Sequence, residues 1–188
     1  MEGETMRILK EDTLCIAIDY QEKLVPVIHE YSTVVSNTKK LLQGLKICDV
    51  PIMVTQQYTK GLGETVVELK DVLDMPNSIT ANEKTSFSAY GEAEIGKLIE
   101  QSGKKNIIVC GVESHICVLQ TIIDLQSKGY QTILLIDCVG SRTEINKQAA
   151  ILRAQQEGAL ITTYEALLFE LVQGAGTDSF RAVSKLVK

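Results

Sequence analysis

The chain has 188 residues, 45% of them hydrophobic and 23% charged, with a net charge of −5 and a pI near 5.2. That length fits one domain, residues 1–188, able to bury roughly 70% of its unfolded surface. The acidic balance argues against a broad phosphate-binding face, so nucleic acid is not an expected partner, and no apolar run approaches the roughly 20 residues of a membrane span.

In chain order, Thr13–Asp19 reads as a buried strand, followed by a helix over about 33–49 and a second strand over Pro51–Thr55. A polar loop with Gly61 and Gly63 leads to a short extended piece near Ser78–Asn82, then a helix over about Tyr90–Gln101. Asn106–Cys110 is a strand, His115–Lys128 a helix, Thr132–Asp137 a strand and Glu144–Glu157 a helix. Gly129 and Gly158 stop those two helices. Almost every face of Ile116–Leu125 carries an apolar residue, so that helix is expected to be central and largely buried. Leu160–Thr163 is the last strand, and the tail forms two helices broken around Gly174-Ala-Gly176. Strands that are apolar throughout, each followed by a helix, predict a three-layer α/β/α fold. Its sheet is mostly parallel, Rossmann-like and of about six strands.

The five cysteines stand at positions 15, 48, 110, 117 and 138, an odd number without C-x-x-C spacing. They read as free thiols in a reducing compartment. The acidic Met1-Glu-Gly-Glu4 start lacks the features of a signal or transit peptide, so the expected location is cytoplasmic.

In an open parallel sheet, function gathers beyond the carboxyl ends of the strands. Asp19 ends the first strand, Lys84 follows the short third one, Cys117 comes just after the fourth and Asp137 ends the fifth. An acid, an amine and a thiol therefore have the means to meet at one rim. Ser114 as N-cap would put Cys117 in the first helical turn, where unpaired N–H groups and the helix dipole favour an anion and lower a thiol's pKa. Periodicity alone also allows Cys117 as an inert core thiol, Asp19 as a cap and Lys84 as a solvated surface residue.

Together these segments resemble a known family. Asp19-Tyr20-Gln21, Lys84-Thr-Ser-Phe-Ser88 and Gly111-x-x-Ser-x-x-Cys117-Val are similar, in order and approximate spacing, to the isochorismatase-like cysteine hydrolases. Within that superfamily, Gln57-Tyr-Thr-Lys-Gly-Leu-Gly63 and Ser141-Arg142 resemble the isochorismatase domain-containing subgroup. The resemblance implies a catalytic triad of Asp19, Lys84 and Cys117 and a cis peptide at Val112–Glu113. It also implies an oxyanion hole made from the backbone N–H groups of Glu113 and Cys117. Gln21, Gln57, Tyr58 and Phe87 are the implied substrate pocket. The implied partners are a small-molecule substrate and further copies of the same chain, as a dimer or larger homo-oligomer.

The implied reaction is hydrolysis of a small amide or related acyl compound through a thioester. Nicotinamidases of the superfamily carry an Asp-x-His metal motif, but Gln57 and Thr59 stand there and the chain has only His29 and His115. Neither a metal nor a cofactor is therefore expected. A cysteine nucleophile also differs from the chemistry of true isochorismatases. His115 reads as a helix-start residue rather than a general base. Asp137, Ser141 and Arg142 read as a loop-bracing group. The competing hypotheses are a non-catalytic scaffold protein with the same fold and a nucleotide-binding flavodoxin-like module.

Overall fold

In the computed structural model, which describes residues 7–73 and 81–188, apolar runs become strands and the segments between them mostly become helices. The strands are β1 (Thr13–Ile18), β2 (Ile52–Gln57), β3 (Asn82–Lys84), β4 (Asn106–Val112), β5 (Gln131–Gly140) and β6 (Leu160–Thr162). They form one parallel sheet in the order β3-β2-β1-β4-β5-β6. This is a Rossmann order, and its winding reverses between β1 and β4, the place where open sheets of this kind bind their ligands.

The helices are α1 (Tyr31–Ile47), α2 (Thr59–Leu62), α3 (Val67–Leu73), α4 (Ala93–Gln101), α5 (Leu119–Ser127), α6 (Glu144–Gln156), α7 (Tyr164–Val172) and α8 (Asp178–Val187). Side chains alternate across the sheet. Cys15 and Ala17 of β1 join Leu41, Leu42 and Leu45 of α1 and Leu167 and Leu168 of α7 in one apolar layer. Leu14, Ile16 and Ile18 join Ile95 and Ile99 of α4, with Ile122 and Leu125 of α5, in the other. Period-2 alternation into two apolar layers explains why β1 is buried along its whole length. Each fully buried Leu or Ile contributes roughly 1.5–3 kcal/mol.

The expected extended piece at Ser78–Asn82 becomes β3 at Asn82–Lys84, so that Lys84 ends the strand instead of following it. Residues 78–80 lie outside the described residues. The loop containing Gly61 and Gly63 carries two short helices, α2 and α3, too brief to show a strong period in sequence. β5 continues to Gly140, with a shift in its register against β4 between Val109 and Gly111. Asp137 is therefore inside the strand and not at its end. The expected helix from His115 begins as a π-helical turn, Ser114–Val118, before α5 takes over. Over Ile116–Leu125, Cys117, Val118, Thr121, Ile122 and Leu125 are buried while Gln120 is exposed, so this segment packs one face on the sheet and is not enclosed on every side.

Gly111 sets the spacing between β1 and β4. Its φ is +141°, and a Cβ there would fall 2.4 Å from the Ile18 carbonyl oxygen. A residue with no side chain lets the two strands close where their ends deliver Asp19 and the π turn.

Candidate active site

Asp19 follows β1 directly and takes a left-handed backbone, φ 54°, which Asp tolerates better than most residues. Its N–H donates to the Thr55 carbonyl at 3.2 Å, and its Oδ1 accepts from Thr55 Oγ1 at 2.8 Å. Lys84 lies across from Gln57 in the β2–β3 register, which brings its side chain to the same rim. The Lys84 ammonium sits 2.7 Å from Asp19 Oδ2, and both side chains are fully buried.

That contact is an ion pair without a hydrogen bond. Asp19 Oδ2 has no hydrogen-bond partner, because Lys84 Nζ donates to Gln57 Oε1 at 2.6 Å, Phe87 O at 2.9 Å and Ser86 O at 3.2 Å. An ammonium has three protons, and these three acceptors use them. Charge is neutralised while one carboxylate oxygen stays free.

Cys117 occupies the π turn and is 5% exposed. Burial pushes its thiol up to about 12, the Asp19 charge adds to the rise, and Lys84 opposes it. Both charges therefore act on the thiol from close by. The three residues therefore meet, as the strand-end argument anticipated. The expectation of a lowered thiol pKa is overturned: loss of water and the neighbouring carboxylate outweigh the ammonium and the helix start. Ser114 also differs from expectation. Glu113 is the cap residue, no side chain caps the turn, and the buried Ser114 Oγ has no partner.

The Val112–Glu113 peptide is cis. The Glu113 carboxylate accepts from Arg142 N at 3.0 Å and Arg142 Nε at 3.1 Å, while His115 Nδ1 lies 3.0 Å from Ser141 Oγ. The loop after β5 thus grips the turn that carries Cys117. His115 is engaged with Ser141 rather than standing free as a base. Asp137 is separate from this group: its carboxylate accepts from Tyr164 N at the start of α7, at 3.0 and 3.3 Å. Burial raises its pKa.

Of the residues expected to form the pocket, Tyr58 and Phe87 are about half exposed. Gln21 is not available to a substrate. It is fully buried, its Nε2 donates to the carbonyls of Gln57 and Gly63, and its Oε1 accepts from Gln57 N. A glutamine committed to main chain in this way braces the β2 end. Gln57 is only partly buried, but its side chain is committed to Lys84 Nζ and Thr85 O. Among the described residues, no three His, Cys, Asp or Glu side chains converge as a metal ion would require. Thr55 was missed by sequence reasoning, and a hydroxyl ending an otherwise apolar strand was the available signal.

An acid, an ammonium and a thiol thus converge beside the switch point of a Rossmann-ordered sheet. Residues 13–166 match the Isochorismatase domain. Isochorismatase domain-containing protein 2 of Danio rerio is 34% identical over 181 residues, covering 96% of this chain and 89% of the relative. The secreted isochorismatase effector Isc1 of Phytophthora sojae is 34% identical over 183 residues, covering 97% and 87%. Among solved structures, the MAR1 ribonuclease of Caenorhabditis elegans superposes with a TM-score of 0.89 at 32% identity, covering 96% of this chain and 92% of that one. The chain belongs to the isochorismatase family, and its relatives place it with the isochorismatase domain-containing subgroup. Family membership supports hydrolase activity in general terms. Among the described residues no helix is long and apolar enough to cross a membrane.

Proposed function

We propose that the protein is a metal-independent cysteine hydrolase that cleaves a small amide or related acyl compound through a thioester. The observation that carries this reading is the buried Asp19–Lys84 pair acting on the Cys117 thiol, with Asp19 Oδ2 left free to accept a proton.

The raised thiol pKa fits a nucleophile that stays neutral until substrate arrives. Asp19 Oδ2 takes the Cys117 proton as the sulfur attacks the acyl carbon, and Lys84 balances the charge that remains. The backbone N–H groups of Glu113 and Cys117 hold the developing oxyanion. The C–N bond breaks, the departing amine takes the proton from Asp19, and the acyl group stays on sulfur. Water then gives a proton to Asp19 and attacks the thioester. The C–S bond breaks, the carboxylic acid leaves, and the proton returns to Cys117. Tyr58 and Phe87 are the exposed aromatic groups of this pocket. Self-association and a cytoplasmic location belong to the same reading. The exposed Ile145 and Leu152, seven residues apart on α6, support the first, and five free, buried cysteines support the second.

The test is a panel of small amides, esters and short RNAs, comparing wild type with Cys117→Ala. A product lost entirely in Cys117→Ala is expected. A product that the variant still forms at the wild-type rate would sink the nucleophile assignment.

A further inference from the structure

We propose that Gln57 is a positioning residue: by taking one ammonium proton of Lys84, it keeps Asp19 Oδ2 open to receive the thiol proton of Cys117. This inference rests on the thiol-nucleophile reading above and assigns a role that the triad itself does not contain.

The argument is one of donors and acceptors. Lys84 Nζ has three protons and four acceptors within reach: Gln57 Oε1, Phe87 O, Ser86 O and Asp19 Oδ2. The first three receive the hydrogen bonds, and Oδ2 receives only proximity. Asp19 Oδ1 is already committed to Thr55. Oδ2 is therefore the single carboxylate oxygen able to accept from Cys117. If Lys84 donated to it, the thiol would lose its acceptor and the carboxylate would become a weaker base.

Two of the three competing acceptors are main-chain carbonyls. Gln57 is the only side chain among them, and at 2.6 Å it makes the shortest of the three bonds. Its direction is fixed from several sides. Nε2 donates to Thr85 O at 2.9 Å, and the Gln21 side chain clamps the Gln57 N–H and C=O. The buried Gln21 thus holds Gln57, Gln57 aims Lys84, and Lys84 leaves the Asp19 oxygen free.

The test is iodoacetamide modification of Cys117, followed by peptide mass spectrometry between pH 7 and 10 in the full chain. In wild type the reaction is slow, since the thiol is held neutral. Asp19→Asn removes the charge that raises it and is expected to move the profile to lower pH. Gln57→Leu releases a Lys84 proton to Asp19 Oδ2 and withdraws that oxygen from the thiol. The profile then moves the same way by less, giving about threefold faster labelling at pH 8, equivalent to roughly half a pKa unit. Gln57→Glu keeps the acceptor and adds negative charge, so its profile is expected to stay or move to higher pH.

A Leu profile moved to lower pH, with a Glu profile that does not follow it, is the signature of aiming. Both moving together, or neither moving, overturns the role of Gln57. An unmoved profile in Asp19→Asn overturns instead the acid–thiol pairing on which the inference stands. If Gln57→Leu does not fold, Gln57→Met supplies the same loss of acceptor in a shape closer to glutamine.

Discussion

Thr55 donates a 2.8 Å hydrogen bond to Asp19 Oδ1, and both residues are fully buried. The pairing follows from register: Thr55 lies opposite Ile18 in the β1–β2 ladder, one residue before Asp19. Thr55→Val keeps the shape and deletes the donor, leaving a buried charged acceptor unsatisfied. The expected loss is about 1–3 kcal/mol of unfolding free energy, with Thr55→Ser close to wild type. Urea denaturation of the three proteins checks this. A Val variant as stable as wild type would mean that Asp19 Oδ1 does not need the bond.

Lys84→Met removes the ammonium paired with Asp19 and leaves a carboxylate stranded in the interior. Breaking a buried pair from one side typically costs about 3–5 kcal/mol. Asp19→Asn combined with Lys84→Met leaves no buried charge and is expected to recover much of that loss while remaining inactive. The comparison is again by urea denaturation. A double variant no more stable than Lys84→Met would show that packing, not charge, sets the penalty.

The Cys117 thiol gives a stability effect at alkaline pH with a definite sign. Its folded pKa, about 12, is above its unfolded value, so the folded state holds the proton more tightly. The contribution is complete below the unfolded thiol pKa of about 8.5 and is lost as pH rises toward the folded value. Wild type is therefore expected to lose stability faster than Cys117→Ala above pH 9, by about 1.4 kcal/mol per pH unit at most. Chemical denaturation at pH 8, 9 and 10 measures the difference. Parallel curves for the two proteins would rule out a raised thiol.

Much of the fold was legible because β-branched runs and helix-stopping glycines carry strand and helix placement locally. The meeting of Asp19, Lys84 and Cys117 was also legible, through strand ends and the family resemblance. What sequence could not give were effects decided by three-dimensional competition. The thiol pKa depends on burial and a carboxylate nearly 100 residues away, so the helix-start argument chose the wrong direction. Gln21 and Gln57 looked like pocket residues because polar side chains near a rim suggest ligand contact, yet their hydrogen bonds are spent on main chain and Lys84. The Glu113 carboxylate takes its partner from Arg142, 29 residues further on, a pairing that no local pattern announces. The π turn and the register shift in β5 have no local sequence period to announce them.

Gly111 offers a test of how closely the two central strands must approach. Two independent features demand glycine there. The backbone lies at φ +141°, which residues with a side chain rarely adopt, and an added Cβ would stand 2.4 Å from Ile18 O and 2.9 Å from Ile18 Cα. The obstructing atoms are the Ile18 main chain and its Cβ, so no rotamer change can relieve the contact. Gly111→Ala is expected to destabilise the protein by about 3 kcal/mol or more, combining overpacking with backbone strain. The site is expected to suffer with the fold, because β1 and β4 deliver Asp19 and the Cys117 turn respectively. Gly129→Ala provides the control: its φ is also positive, +85°, but nothing lies within 4 Å of an added Cβ. It therefore carries the conformational cost without the clash and is expected to lose only about 1 kcal/mol. Thermal and urea unfolding separate the two. Equal losses would mean that strand approach at Gly111 is not a constraint and that backbone conformation alone explains the glycine.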